Sequence, residues 1–152
     1  MRTKILARSS VGVALALGLA ACGASEGHVD LPSAPSFGVT RPPRALVGSW
    51  QLTTLQESGR PQVEIADPRR FGAEFRADGR LYLKADCNLC NATYTAGDAA
   101  LSVGPMACTL AACESMPLDT TYAVLVGAAT SWSAAGGHLV LRSERGVLHF
   151  KP

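Results

Sequence analysis

Four of the chain's five cysteines lie within one short segment, DCNLCNATYTAGDAALSVGPMACTLAAC, which spans residues 86–113. They form two close pairs, Cys87 with Cys90 and Cys108 with Cys113. Thiols in this arrangement can bind a metal ion, exchange electrons with another thiol, or cross-link a small fold as disulfides. The compartment of the protein decides among these uses, because structural disulfides persist in oxidising surroundings.

The N-terminus has the pattern of an export signal. Arg2, Lys4 and Arg8 form a basic region, and an apolar run follows from residue 11 to residue 21. That run has about ten residues, which suits a signal peptide, whereas a membrane-spanning helix needs about twenty. We therefore expect residues 1–21 to be a signal peptide that directs export.

The apolar run ends in a tetrapeptide that resembles the lipobox of bacterial lipoproteins, Leu19-Ala20-Ala21-Cys22. The resemblance implies cleavage before Cys22 and acylation of that cysteine with fatty acids such as palmitate. Two or three acyl chains anchor stably, since each buried methylene contributes about 0.8 kcal/mol. Gly23 follows the cysteine, which implies the outer membrane if the cell has two membranes. The alternative is a secretory signal with an incidental cysteine.

Removal of the signal changes the charge balance. The full chain has 14 basic and 12 acidic residues, and loss of the three basic residues in the signal leaves 11 against 12. No basic tract remains, so a nucleic-acid partner is not expected. Residues 22–44 are predicted to be the lipidated cysteine and a disordered tether rich in Pro, Gly and Ser. Residues 45–152 are long enough for one folded domain.

Three β-hairpins are predicted in this domain from alternating apolar residues around turn signals. The paired segments are 71–75 with 80–84, 91–96 with 100–103, and 138–142 with 147–150. In the last hairpin, pairing Leu141 with Leu148 sets Leu139 opposite Phe150, so that four apolar side chains share one face. An earlier strand is predicted at 47–55, with Trp50 and Leu52 on one face.

One segment has a helical pattern instead. Leu118, Tyr122, Leu125 and Ala129 recur at helical spacing, and Asp119 is placed to cap the start of a helix. Trp132 follows and is expected to cover the end of the sheet. The predicted fold class is therefore mainly β, an antiparallel and barrel-like sheet with one packed helix.

The second hairpin also predicts how the cysteines pair. If its turn centres near residues 98 and 99, the numbers of opposite residues add up to about 197 or 198, which sets Cys90 against Cys108. Cys87 and Cys113 then lie further out on the same arms, and a nested pair of disulfides follows. Closing a loop of about 18 residues stabilises a fold by about 3 kcal/mol. Local bridges, 87 with 90 and 108 with 113, and the crossed set remain as alternatives.

Two other uses of the thiols fit less well. Cys-x2-Cys followed by Cys-x4-Cys resembles zinc-ribbon spacing, but ribbons usually have two residues within each pair, and an exported protein meets oxidants early. A redox Cys-x-x-Cys normally opens a helix that lowers the pKa of the first thiol, whereas NATYT follows here and indicates a strand. No metal and no cofactor are therefore expected.

Several motifs in order resemble the META domain family, which includes the HslJ-like proteins. They are Trp50-x-Leu52, Asp78-Gly79, Cys87-Asn88, Tyr94, Leu101, Thr109-x-x-Ala112-Cys113, and the closing Leu139-x-Leu141 and Leu148-x-Phe150 hairpin. The resemblance covers most of residues 45–152 and implies a small barrel-like antiparallel fold with a packed helix. It marks Trp50, Asn88, Tyr94 and Thr109 as family motif residues.

The resemblance also implies a role. Family members are often envelope lipoproteins linked to stress or antibiotic tolerance, and no enzymatic activity is established for them. This chain departs from the family at Ala92, where Gly is frequent, and in carrying Cys90 and Cys108 beside the usual pair at 87 and 113. The joint occurrence of the two extra cysteines favours a bond between them.

No catalytic residues are predicted. His28 lies in the tether, His138 opens a strand, and His149 alternates with core residues and is expected to point outward. Asn88 is expected to form a turn rather than line a pocket. We therefore expect a non-enzymatic, lipid-anchored envelope protein that acts in the stress response or in envelope integrity by binding a partner. The alternatives are a small inhibitor or ligand-binding β module and, less favoured, a thiol redox protein.

Overall fold

The computed structural model describes residues 41–113 and 118–152. The predicted signal peptide, Cys22 and most of the predicted tether lie outside the described residues. The folded part includes the end of that tether, because Pro42 is buried and the N–H of Leu46 donates to the Pro43 carbonyl over 3.0 Å. No helix in the described ranges is long and apolar enough to cross a bilayer.

The described residues form ten antiparallel strands and one α-helix. The strands are β1 (Gly48–Glu57), β2 (Val63–Glu64), β3 (Phe71–Phe75), β4 (Arg80–Ala85), β5 (Asn88–Ala96), β6 (Leu101–Val103), β7 (Ala107–Cys108), β8 (Ser131–Ala135), β9 (His138–Ser143) and β10 (Gly146–Lys151). The helix is α1 (Leu118–Gly127). The sheet order is β6-β5-β4-β3-β1-β10-β9-β8, with β2 on β1 and β7 on β5.

The two ends of this sheet meet, so the sheet is a nearly closed barrel. Ala100 and Ser131 form a β-bridge, and the N–H of Leu101 donates to the Thr130 carbonyl over 3.0 Å. The N–H of Trp132 donates to the Ala99 carbonyl over 2.9 Å. Contact between β6 and β8 protects two edges that would otherwise present unpaired backbone groups.

All three predicted hairpins are present, and the second and third have the predicted register. Phe75 pairs with Leu81, and Ala96 pairs with Leu101. In the last hairpin Leu141 pairs with Leu148 and Leu139 pairs with Phe150, and all four side chains are buried. Alternating apolar residues and the turn residues between them therefore determine which residues pair in these hairpins, as expected where one face of each strand is buried.

Strand β1 departs from simple alternation. Its register against β10 shifts between Leu52 and Thr54, which inserts one extra residue at Thr53. Leu52 and Leu55 are consequently both buried although they are three residues apart. A bulge of this kind also bends the strand and increases its twist, which helps a sheet to close.

The segment after the helix contains a strand that the sequence did not predict. Residues 131–135 form β8, and Gly136 and Gly137, both with positive φ, make the turn into β9. Trp132 is only 6 % exposed, and its Nε1 donates to the Gly97 carbonyl over 2.9 Å. It therefore faces the core and links β8 to the β5–β6 turn.

Helix α1 packs its apolar face against β4 and β10. Tyr122, Leu125 and Val126 are buried, and the Tyr122 ring contacts Phe71 edge-on with ring centroids 5.7 Å apart. Ala129, the last residue of the predicted stripe, is buried but lies beyond the helix end at Gly127. The helix thus completes the core of the barrel.

Candidate functional site

The two disulfides hold residues 107–113, here called the pinned segment, against the start of β5. Cys90 and Cys108 face each other across the β5–β7 pair and form a disulfide with Cα atoms 4.0 Å apart. Cys87 and Cys113 form the outer disulfide, with Cα atoms 5.6 Å apart. This is the nested pairing that the hairpin register predicted. None of the four sulfurs is a free thiol in this arrangement.

A tight turn between β4 and β5 positions the site. Asp86 has a φ of +60°, in the left-handed region that Asp and Asn enter more readily than other non-glycine residues. Its N–H donates to the Arg70 carbonyl over 2.8 Å, and its buried carboxylate is paired with the Arg70 guanidinium. Asn88 then pairs with Ala85, so its side chain enters the fold directly after the turn.

The carboxamide of Asn88 takes the place of a strand backbone. Its Oδ1 accepts from the Ala111 N–H at 2.8 Å, and its Nδ2 donates to the Ala111 carbonyl at 3.1 Å. A neighbouring peptide group would make the same two bonds. The sequence favoured a turn-forming Asn88 that bonds its own backbone. The structure corrects this, because the side chain is buried, lines a cleft and bonds a segment far along the chain.

Thr109 completes this connection. Its N–H donates to the Leu89 carbonyl over 3.0 Å, and its Oγ1 accepts from the Leu89 N–H over 3.0 Å. The same hydroxyl donates to Asn88 Oδ1 at 3.0 Å. The Cys87-Asn88 and Thr109-x-x-Ala112-Cys113 motifs are therefore two halves of one hydrogen-bonded and cross-linked unit.

Asn88 also joins the pinned segment to α1. Its Nδ2 lies 3.1 Å from Asp119 Oδ2 and 3.1 Å from Cys113 Sγ, so that its two hydrogens are shared among three acceptors. Asp119 is 4 % exposed, and its Oδ1 accepts from the Thr120 hydroxyl at 3.4 Å. Asp119 was expected to cap the start of the helix, but it lies inside the first turn of α1. Its carboxylate accepts a hydrogen bond from Asn88.

A cleft of about 810 Å³ opens between the pinned segment and α1. Most lining residues are apolar or small, namely Ala85, Cys90, Met106, Cys108, Leu110, Ala111, Ala112, Ala123, Val124, Gly127 and Ala128. The polar lining residues are Asn88, Thr109, Asp119, Thr120 and Arg145. Leu110 is 95 % exposed and Val124 is 45 % exposed. An apolar concave surface with a few polar groups is typical of a binding site.

A second cavity of about 370 Å³ continues along the helix. It shares Thr120, Val124 and Arg145 with the cleft and extends to Glu57 and Ser58. The two cavities together form a groove along the outer face of α1.

The other two motif residues lie away from the cleft. Trp50 is half-buried on β1, and its Nε1 donates to the Leu46 carbonyl over 2.9 Å. Tyr94 is buried on β5, packs edge-on against Phe75, and donates its hydroxyl to the Arg76 carbonyl over 2.7 Å. Burial raises the pKa of Tyr94 to about 12. Both residues stabilise the barrel, and only Asn88 and Thr109 of the four contribute to the site.

The described histidines lie on the outside of the last hairpin. His149 is half-buried on β10, and burial, followed by the charges of Arg142 and His138, lowers its pKa. Neither His138 nor His149 lines the cleft. Across residues 41–113 and 118–152, no group of three or more His, Cys, Asp or Glu side chains is placed to hold a metal ion.

Sequence reasoning missed the residues that shape the cleft, although two signals pointed to them. Leu110 is a large apolar residue between Cys108 and Cys113, in a segment too short to fold back and bury it. Val124 lies off the apolar stripe of α1 and therefore had to face outward. The pairing of Asp119 with Asn88 had no local signal, because 31 positions separate them.

Solved structures that are similar to this chain show low sequence identity to it. An NMR structure of a protein from Burkholderia xenovorans is 17 % identical with a TM-score of 0.55, and the match covers 80 % of this chain and 97 % of that one. A second NMR structure is 17 % identical with a TM-score of 0.52, covering 68 % of this chain and 87 % of that one. A DUF4847 family protein from Bacteroides vulgatus is 13 % identical with a TM-score of 0.48, covering 68 % and 91 %.

No curated protein matches the chain. The family model of the META domain, however, matches residues 44–152, which is most of the sequence and the whole of the predicted domain. The matched range contains the cleft and both disulfides. The chain belongs to the META domain family.

Proposed function

We propose that this chain is a non-catalytic, lipid-anchored envelope protein that binds an apolar segment of another envelope protein in the cleft beside α1. The observation that carries the proposal is the mostly apolar cleft of about 810 Å³, whose wall is the pinned segment. Leu110 is 95 % exposed on that wall, which leaves a large apolar side chain in water until a partner covers it.

The construction of the wall supports a binding role. Two disulfides and the Asn88 carboxamide hold the pinned segment, so that little conformational freedom remains to be lost when a partner binds. The polar groups on the cleft floor already bond one another, as Asn88 does with Thr109 and Asp119. A rigid apolar surface beside polar groups that are held in place by their own hydrogen bonds favours binding of a partner over catalysis.

Anchoring through Cys22 adds a location to this role. Acylation would place the cleft within a tether's length of the membrane, which raises its effective concentration toward a partner held at the same membrane. Binding there would support envelope integrity under stress. Replacement of Cys22 by Ser is expected to move the protein from the membrane fraction to the soluble fraction and to remove the acyl mass from the N-terminal peptide. Retention of the variant in the membrane fraction would count against the anchor.

The binding proposal is tested by photo-cross-linking in the living cell. A photoreactive amino acid at Leu110 is expected to give a discrete adduct, and Val124→Asp, on the opposite wall, is expected to abolish it. The matched control is the same amino acid at Val63, which is 43 % exposed but does not line the cleft. Equal adducts from positions 110 and 63, or an adduct from 110 that survives Val124→Asp, would overturn the proposal.

One observation favours a second candidate, a small apolar molecule as the ligand. The cleft volume of about 810 Å³ lies within the range of small-molecule sites, about 300–1,000 Å³. Native mass spectrometry of the purified protein discriminates the two. A small molecule that copurifies with the wild type and is lost from Val124→Asp supports the second candidate, whereas a bound polypeptide supports the first.

A further inference from the structure

The floor of the cleft holds a carboxylate that has no cation beside it. Asp119 is 4 % exposed, and its bonding partners in the described part of the chain are the neutral groups Asn88 Nδ2 and Thr120 Oγ1. An ionised carboxylate has about four acceptor positions and is costly to bury without a counter-charge. The exposed remainder of Asp119 opens into the cleft, because this residue is part of the lining.

The one cation among the residues that line the cleft, Arg145, forms no ion pair with this carboxylate in the described part of the chain. Arg145 is exposed, so that water screens its charge from the floor. The cleft therefore offers a negative group at its base, surrounded by apolar walls.

The pinned segment contributes a second feature, an open backbone edge. The N–H groups of Thr109 and Ala111 point toward β5, where they bond Leu89 and Asn88. In an extended chain the intervening residues point their backbone groups the opposite way. Accordingly, no backbone hydrogen bond joins the N–H or C=O of Leu110 to another described residue. Such an edge can accept an added strand from a partner.

We propose that the cleft takes an extended apolar peptide segment that carries a lysine or arginine. The cation pairs with Asp119, and the peptide backbone adds along residues 108–112. This inference rests on the proposed function and specifies the chemistry of the bound segment. A charge-assisted hydrogen bond in a poorly hydrated site strongly favours a cationic peptide over a neutral one. The neutral peptide leaves the carboxylate without a counter-charge.

The test uses the full-length protein held in lipid nanodiscs, so that no detergent competes for the apolar cleft. The probes are four pools of acetylated pentapeptide amides with Lys, Arg, norleucine or Glu at the central position and Val, Leu, Ile or Phe elsewhere. Binding is measured by fluorescence anisotropy. The Lys and Arg pools are expected to bind at least about tenfold more tightly than the norleucine pool, and the Glu pool more weakly still.

Two variants of the protein locate the charge. Asp119→Asn keeps an oxygen that accepts from Asn88 but removes the charge, and is expected to abolish the preference for Lys and Arg over norleucine. The matched control is Asp98→Asn, an exposed carboxylate in the β5–β6 turn that does not line the cleft, and it is expected to keep the preference. A preference that survives Asp119→Asn overturns the inference.

Modified probes test the strand addition. Two versions of a Lys-centred peptide carry N-methyl groups on its odd-numbered or on its even-numbered residues. The version whose methylated N–H groups face residues 108–112 is expected to lose affinity at least about tenfold, and the other version is expected to lose little. Equal losses in the two versions overturn the added strand.

The outcomes also separate this inference from the proposed function. If the norleucine pool binds as tightly as the Lys pool, the apolar cleft binds peptides and only the cationic specificity is refuted. If no pool binds, the proposed function fails together with the inference.

Discussion

The central role of Asn88 predicts an unusual response to a single-atom change. Asn88→Asp replaces Nδ2 by an oxygen, which removes the donor to Ala111, Cys113 and Asp119 and places two carboxylates about 3.1 Å apart. Both cannot remain ionised at that distance, so that one takes up a proton in the folded state. The pKa of the pair is therefore raised above that of the unfolded chain.

The cost of the change follows from this linkage. Holding a proton at pH 7 on a group with an unfolded pKa of about 3.9 costs about 4 kcal/mol, at about 1.4 kcal/mol per pH unit. A group with a raised folded pKa destabilises at high pH, and the loss disappears as the pH falls toward the unfolded value. We therefore expect Asn88→Asp to lose about 3–4 kcal/mol at pH 7 and about 1–2 kcal/mol at pH 5 relative to the wild type.

The assay is urea unfolding followed by near-ultraviolet circular dichroism, with disulfides intact and the wild type measured at each pH. The double variant Asn88→Asp with Asp119→Asn restores one donor and one acceptor in reversed order, and is expected to recover about 2 kcal/mol at pH 7. Asn91→Asp, at an exposed position of β5, is the control and is expected to change stability by less than about 0.5 kcal/mol. A loss that is constant between pH 5 and pH 7, with no recovery in the double variant, would refute the reasoning.

Three further changes test the packing and the cross-links. Gly146→Ala places a Cβ in steric overlap with the Gln56 carbonyl and is expected to cost about 1–3 kcal/mol in urea unfolding. An unchanged midpoint would contradict the close approach. The Tyr122 hydroxyl is buried with no hydrogen-bond partner in the described part of the chain. Tyr122→Phe is therefore expected to leave the melting temperature unchanged or to raise it. A drop of several degrees would show that the hydroxyl is bonded. Replacing Cys90 and Cys108 together by Ser opens a loop with a sequence separation of 18 and is expected to lower the free energy of unfolding by about 3 kcal/mol. An unchanged free energy of unfolding would show that this disulfide is absent in solution.

The hairpins illustrate what can be predicted from local sequence. Leu139 and Leu141 lie two residues apart on one face of β9, and a two-residue turn follows the strand, so only one register buries both against Leu148 and Phe150. The same rule set Cys90 opposite Cys108, because the register of β5 with β6 continues into β7 with a shift of one position. In such cases the residues of one hairpin are enough to predict the register, because side chains alternate between the two faces of a strand.

Other features depend on contacts between distant elements. Strand β8 was missed because Ala134, Ala135 and the glycines after them have low strand propensity, and only pairing with β9 and contact with Ala100 make the segment a strand. Asn88 was expected to bond its own backbone, as Asn in turns commonly does. Hydrogen bonds to the backbone of Ala111 and to the buried Asp119 hold its side chain elsewhere.

The sequence alone determined the strand pairs, the cysteine partners and the family, since each depends on residues close together in the chain or on motifs in a fixed order. The tertiary structure decided the closure of the barrel and the existence of the cleft. Closure depends on the contact between β6 and β8, whereas the cleft depends on where α1 packs relative to the pinned segment. Burial of Tyr122 and Val126 and the Asn88–Asp119 bond both hold α1 in that place. Neither feature can be predicted locally, because the contacts join elements that are distant in sequence.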